Sequence, residues 1–319
     1  MKKTLNLLAC LLLLLHVNGQ QTMMFTQYTF NKAGLNPAAS GTDLNQEMYY
    51  AFGIGRPYYG LSGSPKQTFV NFSYTIREPR SISFWQNIGL YIEDEESGLF
   101  SQNNVYAGYA MHRLLRKKIL FSWGVYAGIR RMGRSLGGFD ANDPAVSKTT
   151  DLLLYPDVRP GIRVASHKFF AGLSLKQISV TSLRDFKGRK IGSPSKLTPT
   201  IYAEYGQKIP LMANVLFMPS VALNLPVIGP PAIDATAMFY LYNRLGLGAG
   251  VRGTSMLNGI LQIRFLNNLC AGFAYGYAVG PMRYAQSQTF EVIIGITPVG
   301  MDVKVTAQHS ITRCPDLQF

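Results

Sequence analysis

Charge is scarce in this chain: 15% of its 319 residues are Asp, Glu, Lys or Arg, against about a quarter in an average soluble domain. Cysteine is scarcer still, with three residues, which excludes a disulfide scaffold. The 31 glycines show no period of three, so a collagen-like chain is excluded. Beyond the N-terminus no apolar run approaches the ~20 residues of a spanning helix, so a helical membrane bundle is excluded too. Disorder is incompatible with 47% hydrophobic residues spread along the chain. What is present is apolar on average, rich in glycine and 12% aromatic. A chain of that kind without a spanning helix suits an all-β transmembrane barrel, whose strands present alternate residues to lipid.

The N-terminus reads as an export signal. Lys2 and Lys3 precede an apolar stretch from Leu5 to Leu15, and Val17-Asn18-Gly19 offers a cleavage site before Gln20. Leu8-Ala9-Cys10 is a poor lipobox, because the apolar stretch runs on past Cys10. The signal carries two of the 31 basic residues, so the mature chain keeps 29 against 17 acidic ones, a net charge of +12. A basic exported protein meets lipid phosphates, acidic glycans or acidic protein faces, and does not meet nucleic acid.

The mature chain divides into short segments of period two. Leu269, Ala271, Phe273, Tyr275 and Tyr277 fall on one face, and Cys270, Gly272, Ala274 and Gly276 on the other. Leu245 to Arg252, Ile233 to Tyr240 and Val70 to Ile76 repeat the pattern. Fourteen such segments start near Tyr49, Thr68, Asn87, Val105, Leu120, Pro160, Phe169, Thr200, Val215, Ile233, Leu245, Asn258, Leu269 and Phe290. Connections after odd segments average about 14 residues and those after even segments about 6, the asymmetry of long extracellular loops and short periplasmic turns. A secreted β-sandwich would show similar alternation, yet it requires no such in-phase asymmetry. The expectation is a 14-stranded antiparallel transmembrane β-barrel in the bacterial outer membrane, with both barrel termini in the periplasm. Residues 1–19 are the signal, 20–47 an N-terminal segment, 48–296 the barrel and 297–319 a periplasmic tail. Pro219, inside a strand, calls for a bulge or a strand end.

Several motifs are familiar in sequence order. They are Phe25-Thr26-Gln27-Tyr28-Thr29-Phe30-Asn31, Leu35-Asn36-Pro37-Ala38 with Gly41, Arg56 to Pro65, Asp143-Pro144-Ala145, Phe169 to Leu175, and Arg313-Cys314-Pro315. Together they resemble the PorP/SprF family of outer-membrane proteins of the type IX secretion system in Bacteroidetes. Arg56-Pro57-Tyr58-Tyr59-Gly60-Leu61-Ser62-Gly63-Ser64-Pro65 is similar to the family's Arg-Gln-Trp-x-Gly-x-x-Gly-x-Pro turn, with Pro57 and Tyr58 as departures. The resemblance implies a 14-stranded barrel that works with the secretion and gliding apparatus. It also implies periplasmic type IX secretion components as partners, and a secreted cargo or adhesin held through its C-terminal signal domain.

The segment Phe25 to Gly41 precedes the first strand on the periplasmic side. Asn36-Pro37 is a turn initiator, and the side-chain amides of Gln27, Asn31 and Asn36 suit hydrogen bonds to lumen groups. The small inner faces leave space to fill. The segment therefore reads as a plug, with a strapped periplasmic tail as the alternative. An Asn-Pro-Ala motif before a 14-stranded barrel also resembles the hatch of FadL-type transporters, so a channel for hydrophobic small molecules is the second functional reading.

Catalytic chemistry is poorly represented. Of four histidines, His16 leaves with the signal, His112 ends a strand, His167 shares a two-residue turn with Lys168 and His309 lies in the tail. The run Glu93-Asp94-Glu95-Glu96 reads as a solvated extracellular loop, and the Gly248 to Gly253 match to a dinucleotide fingerprint continues a strand pattern with no helix after it. No catalytic, cofactor or metal site is expected. The charged connections are better candidates. The longest runs from Arg131 to Arg159 and carries Arg131 and Arg134; the next carries Arg184, Lys187, Arg189 and Lys190. Both would project outward, where their cations grip lipopolysaccharide phosphates or an acidic face of a secreted partner, or are simply solvated. Arg113, Arg116, Lys117 and Lys118 cluster in a periplasmic turn, suited to a periplasmic subunit or to lipid headgroups. Cys270 starts an odd strand and Cys314 lies in the tail, so a Cys270–Cys314 disulfide in the oxidising periplasm would tie the tail across the barrel base.

Overall fold

Alternating side chains build a single closed sheet. The computed structural model describes residues 24–43, 47–77, 83–98, 100–115, 119–134, 152–178, 199–227, 229–242, 244–265, 268–279, 283–284 and 288–297. In chain order the strands are β1 (Met48–Tyr59), β2 (Lys66–Ile76), β3 (Phe84–Ser97), β4 (Phe100–Leu115), β5 (Ile119–Arg134), β6 (Leu152–Ser166) and β7 (Phe169–Lys176). They continue with β8 (Thr200–Gln207, resumed as Ile209–Met212), β9 (Val215–Pro226), β10 (Ala232–Leu241), β11 (Leu245–Arg252), β12 (Met256–Phe265), β13 (Leu269–Ala278) and β14 (Gln288–Ile296). Each strand pairs antiparallel with the next, and β14 pairs back onto β1 with Gly295 opposite Ala51. The result is a closed 14-stranded antiparallel barrel, the arrangement that lets strands satisfy their backbone polar groups within the sheet.

The two faces of the wall differ as the alternation requires. Phe52, Ile54, Val70, Leu247, Phe273 and Val292 point outward and are exposed. Their neighbours Gly53, Asn71, Gly248, Gly272 and Glu291 point inward. Aromatic side chains pair across strands on the outer face: Tyr50 with Phe72, Phe217 with Phe239, and Tyr275 with Phe290 have centroids 5.0, 4.8 and 5.2 Å apart. Such directly opposed pairs each add a fraction of a kcal/mol to the ladder, about 0.2–1.

The connections are asymmetric in the expected phase. The two longest, 135–151 and 177–199, lie at one end of the barrel, and the other end is joined by stretches such as 116–118, 167–168 and 213–214. Two boundaries differ from expectation. Strand β6 begins at Leu152 rather than near Pro160, so the connection expected from Arg131 to Arg159 shrinks to 135–151. Pro156 and Pro160 concealed this strand. They sit where β6 is laddered to β5, while its ladder to β7 covers only Gly161–Ala165. Proline is tolerated in a strand that lacks a second ladder neighbour. The run Glu93 to Glu96 is likewise strand rather than loop: Glu93 faces the lumen, and Glu96 pairs outside with Lys66 at 3.6 Å.

Pro219 stays in register within β9, opposite Ala237 of β10. The disturbance passes instead to β8, which breaks at Lys208 in the stretch facing Met218 and Pro219. A proline offers no N–H to its neighbour, so the neighbour rather than the proline's own strand gives way.

A cation on the outer face tests this assignment. Leu247→Arg should destabilise the folded barrel by about 2–4 kcal/mol, as expected for a cation facing hydrocarbon. Urea unfolding in phospholipid vesicles reads the loss, and an unchanged midpoint would place Leu247 off the lipid face.

Candidate functional site

The lumen is filled by the chain's own N-terminal segment. Residues 24–43 fold into turns, a short helix α1 (Lys32–Leu35) and a 3₁₀ turn (Pro37–Ala39), and nearly all are buried. Asn36 caps the 3₁₀ turn: its side-chain oxygen accepts from the Ala38 N–H at 3.0 Å, and Pro37 occupies the first position, where a missing N–H costs nothing. The segment descends through the barrel. Arg252, the last residue of β11, donates to the Met24 carbonyl at 3.0 Å at the end with the long connections. Trp85, near the start of β3, donates to the Gly41 carbonyl at 2.8 Å close to the other end. The segment is thus the expected plug rather than a strapped periplasmic tail, and only its C-terminal part lies at the end where the barrel begins.

Glycines make room for the plug. Gly124 of β5 lies directly opposite Gly161 of β6. A Cβ at Gly124 would run into the Pro37–Ala38 backbone, and one at Gly161 into the Asn36 side chain. With that clearance Asn36 Nδ2 reaches two wall carbonyls, Ile162 at 2.9 Å and Leu173 at 3.3 Å. Asn31 Nδ2 donates to the Tyr91 hydroxyl at 3.2 Å. Gln27 engages the wall differently from expectation. Its backbone N–H, with that of Thr26, donates to the Glu291 carboxylate at 3.2 and 2.7 Å, while its side-chain amide packs over Gly272 without a hydrogen bond. The close approach at Gly272 leaves that amide facing backbone rather than a polar partner.

Further contacts, not evident in the sequence, hold the plug. Tyr28 reaches Ser220 at 2.7 Å and Thr236 at 3.0 Å. Burial pushes its phenol up to about 12, so it remains a neutral hydroxyl able to donate or accept. Ser40 donates to Asn87 at 2.9 Å, and Ser174 donates to the Leu35 carbonyl at 2.6 Å. Phe25 meets Phe69 edge-on at 5.0 Å.

A charged cluster lines the wall beside the plug. Arg159 of β6 bonds Glu93 of β3 and lies 3.3 Å from Asp157. Arg130 of β5 reaches the same Asp157 at 3.5 Å, and Tyr106 donates to it at 2.8 Å. Asn104 donates to Glu93 at 2.9 Å, and the Arg159 guanidinium sits 4.1 Å from the Tyr106 ring centroid. Below it, Arg163 pairs with Glu204 at 2.9 Å. The signal available in the sequence was parity: Arg130, Asp157, Arg159 and Arg163 all occupy inward positions once β6 is extended to Leu152.

The basic residues singled out from sequence are scattered. Arg131 lies in β5, opposite Leu154, and its side chain is exposed on the outer face. Arg134 ends β5, so both belong to a strand rather than a loop; the inward Arg130 between the outward Ile129 and Arg131 shows the strand pattern running on. Arg113 is exposed within β4 rather than in a turn, and His112 beside it points inward, stacked on Trp85 at 5.2 Å. Arg116, Lys117, Lys118, Arg184, Lys187, Arg189 and Lys190 lie outside the described residues, as do the signal and the tail. Cys270 is buried near the start of β13; Cys314 lies outside the described residues. The family-like turn after β1 uses positive φ at Gly60 (104°) and Gly63 (73°), with Tyr58 at 56°. That conformation is easy for glycine and explains the two glycine positions.

Comparison with known proteins places the chain. The model of the type IX secretion system membrane proteins PorP/SprF matches residues 17–296. The chain belongs to this family. Its barrel is an outer-membrane barrel. No curated protein sequence matches it. Among solved structures, the toluene transporter TodX of Pseudomonas putida is 10% identical with a TM-score of 0.47, over 83% of this chain and 91% of that one. The toluene transporter TbuX of Ralstonia pickettii is 10% identical with a TM-score of 0.48, over 88% and 95%. The translocator domain of the autotransporter NalP of Neisseria meningitidis is 7% identical with a TM-score of 0.41, over 85% and 95%. These are likenesses of barrel architecture alone.

The wall cluster and the surface pair respond differently to loss of a carboxylate. Glu93→Gln strips the buried Arg159 of one partner and should cost about 3 kcal/mol. Glu96→Gln, in the exposed pair with Lys66, should cost under about 1 kcal/mol. Parallel urea titrations of the two variants compare them directly; equal losses would show that the Arg159 cluster is water-screened.

Proposed function

We propose that this PorP/SprF barrel is a non-enzymatic component of type IX secretion that supports export of cargo proteins, or holds a secreted adhesin at the cell surface through its C-terminal signal domain. Family membership over residues 17–296 carries the reading. A filled lumen fits it, because a barrel stoppered by its own chain acts through its surfaces. In this reading the end with the long connections faces outward and meets cargo and lipopolysaccharide, with Arg131, Arg134, Arg184, Lys187, Arg189 and Lys190 as its basic groups. The other end faces the periplasm and meets secretion components, with Arg113, Arg116, Lys117 and Lys118. The Cys270–Cys314 tie of the tail belongs to the same proposal.

The reading as a channel for hydrophobic small molecules ranks second. Two cavities beside the plug, of about 10 and 20 Å³, are water-sized, where small-molecule pockets run to several hundred, roughly 300–1,000 Å³. Their linings include Glu93, Lys176, Asp43 and Asn71.

Deletion of the gene should deplete at least one C-terminal-signal protein from the cell surface, read by surface proteomics. Crosslinked pull-down of the tagged full chain from intact cells should recover secretion components. Unchanged surface proteins together with impaired uptake of a hydrophobic compound would reverse the ranking of the two readings.

A further inference from the structure

The plug is held in a way that lets it leave. Wall side chains bond its main chain, among them Arg252 to Met24, Glu291 to Thr26 and Gln27, Ser174 to Leu35, and Trp85 to Gly41. Main-chain contacts of this type are matched by water when the segment withdraws. The inward wall is mixed: Asn71, Ser73, Asn87, Ser122, Asn258 and Gln262 are buried there beside Phe69, Tyr91, Tyr106, Phe170, Met238 and Ile293. Its polar and charged groups give water partners once the wall is bared.

The wall's ion pairs and ladders do not involve the plug. The pairs Arg159–Glu93, Arg159–Asp157, Arg130–Asp157, Arg163–Glu204 and Arg252–Asp234 all join wall to wall. The ladder closes from β14 to β1 without a plug strand. The segment can therefore depart without breaking any of these ion pairs or a rung of the sheet. Its apolar hold runs through Phe25 and Phe30, which join the aromatic wall cluster, and through Met24, Tyr28 and Leu35 against Tyr202 and Ala222.

We propose that residues 24–43 are a removable stopper, and that the barrel with the stopper withdrawn is an aqueous pore for small ions and polar solutes. The fixed charges of Glu93, Arg130, Asp157, Arg159 and Lys176 line that pore on one side. This property is separate from the secretion role and stands or falls without it.

Conductance of the full-length protein in planar bilayers, in potassium chloride, tests the proposal. Gly161→Val crowds Asn36 out of its seat, and Glu291→Gln weakens the acceptor of two plug N–H groups. Loss of one charged hydrogen bond shifts the open population about tenfold or more and loss of a neutral one by about threefold or more, so Glu291→Gln and Gly161→Val should raise the mean current over wild type by those factors respectively. A short thiol cross-link between Ser40→Cys and Asn87→Cys, whose native side chains touch at 2.9 Å, should return the current to the wild-type level. Folded variants, identified by heat-modifiable migration, that conduct no more than wild type would overturn the proposal. So would a current indifferent to the cross-link. Should neither variant fold, the cross-link pair in the otherwise native chain decides: openings seen when reduced and absent when cross-linked support the stopper, and identical traces refute it.

Discussion

Hydrocarbon offers a backbone no hydrogen-bond partner, and the rest of this structure follows from that constraint. A strand in lipid must have a neighbour on each side, so the sheet has to close. Closure here is made by β14 on β1, where eight residues from Tyr50 to Tyr59 find partners between Ile296 and Gln288. Once the sheet is closed, each strand has two different surroundings. Odd and even side chains face lipid and lumen, and a register slip by one residue would exchange them all. The pattern of Phe, Leu and Val against Gly, Ser and Asn is the record of that division.

This is why most of the fold was legible. Period two is written by every residue of a strand, so the strands of β9 to β14 stand at or near their expected starts. What escaped was written in residues whose meaning depends on partners far away in sequence. Asp157 and Arg159 resemble loop charges until Glu93 and Arg130 are set beside them. Pro156 and Pro160 resemble a break until β7 is seen to end its ladder at Gly161. The acidic run at Glu93 resembles a solvated loop until alternate members turn inward. In each case a local rule was overridden by a contact across the barrel.

The plug shows the same limit from the other side. Asn36-Pro37 and the small inner faces were enough to place a segment inside the lumen. They could not supply its partners, since Asn36 bonds Ile162 and Leu173, and Thr26 bonds Glu291 at the far end of the chain. Nor could they give its direction, which depends on Arg252 and Trp85 gripping opposite ends. The glycines at 124 and 161 were visible only as alternation. Their role as clearance for the Pro37–Ala38 backbone appears when the two elements meet.

A plug and a core solve different problems, and the wall chemistry separates them. A core gains stability from apolar contacts that cannot be replaced by solvent. This lumen invests its charges in pairs within the wall and offers the plug hydrogen-bonding groups interleaved with aromatic ones such as Phe69 and Tyr91. A hydrogen bond to a plug and one to water are close in free energy, so such a filling adds occupancy more than cohesion. The barrel's integrity rests on ladders and wall ion pairs, while the state of its interior is left to a weaker balance. For a protein that must sit permanently in the membrane beside a secretion machine, that division keeps a rigid cylinder in place whatever its contents do.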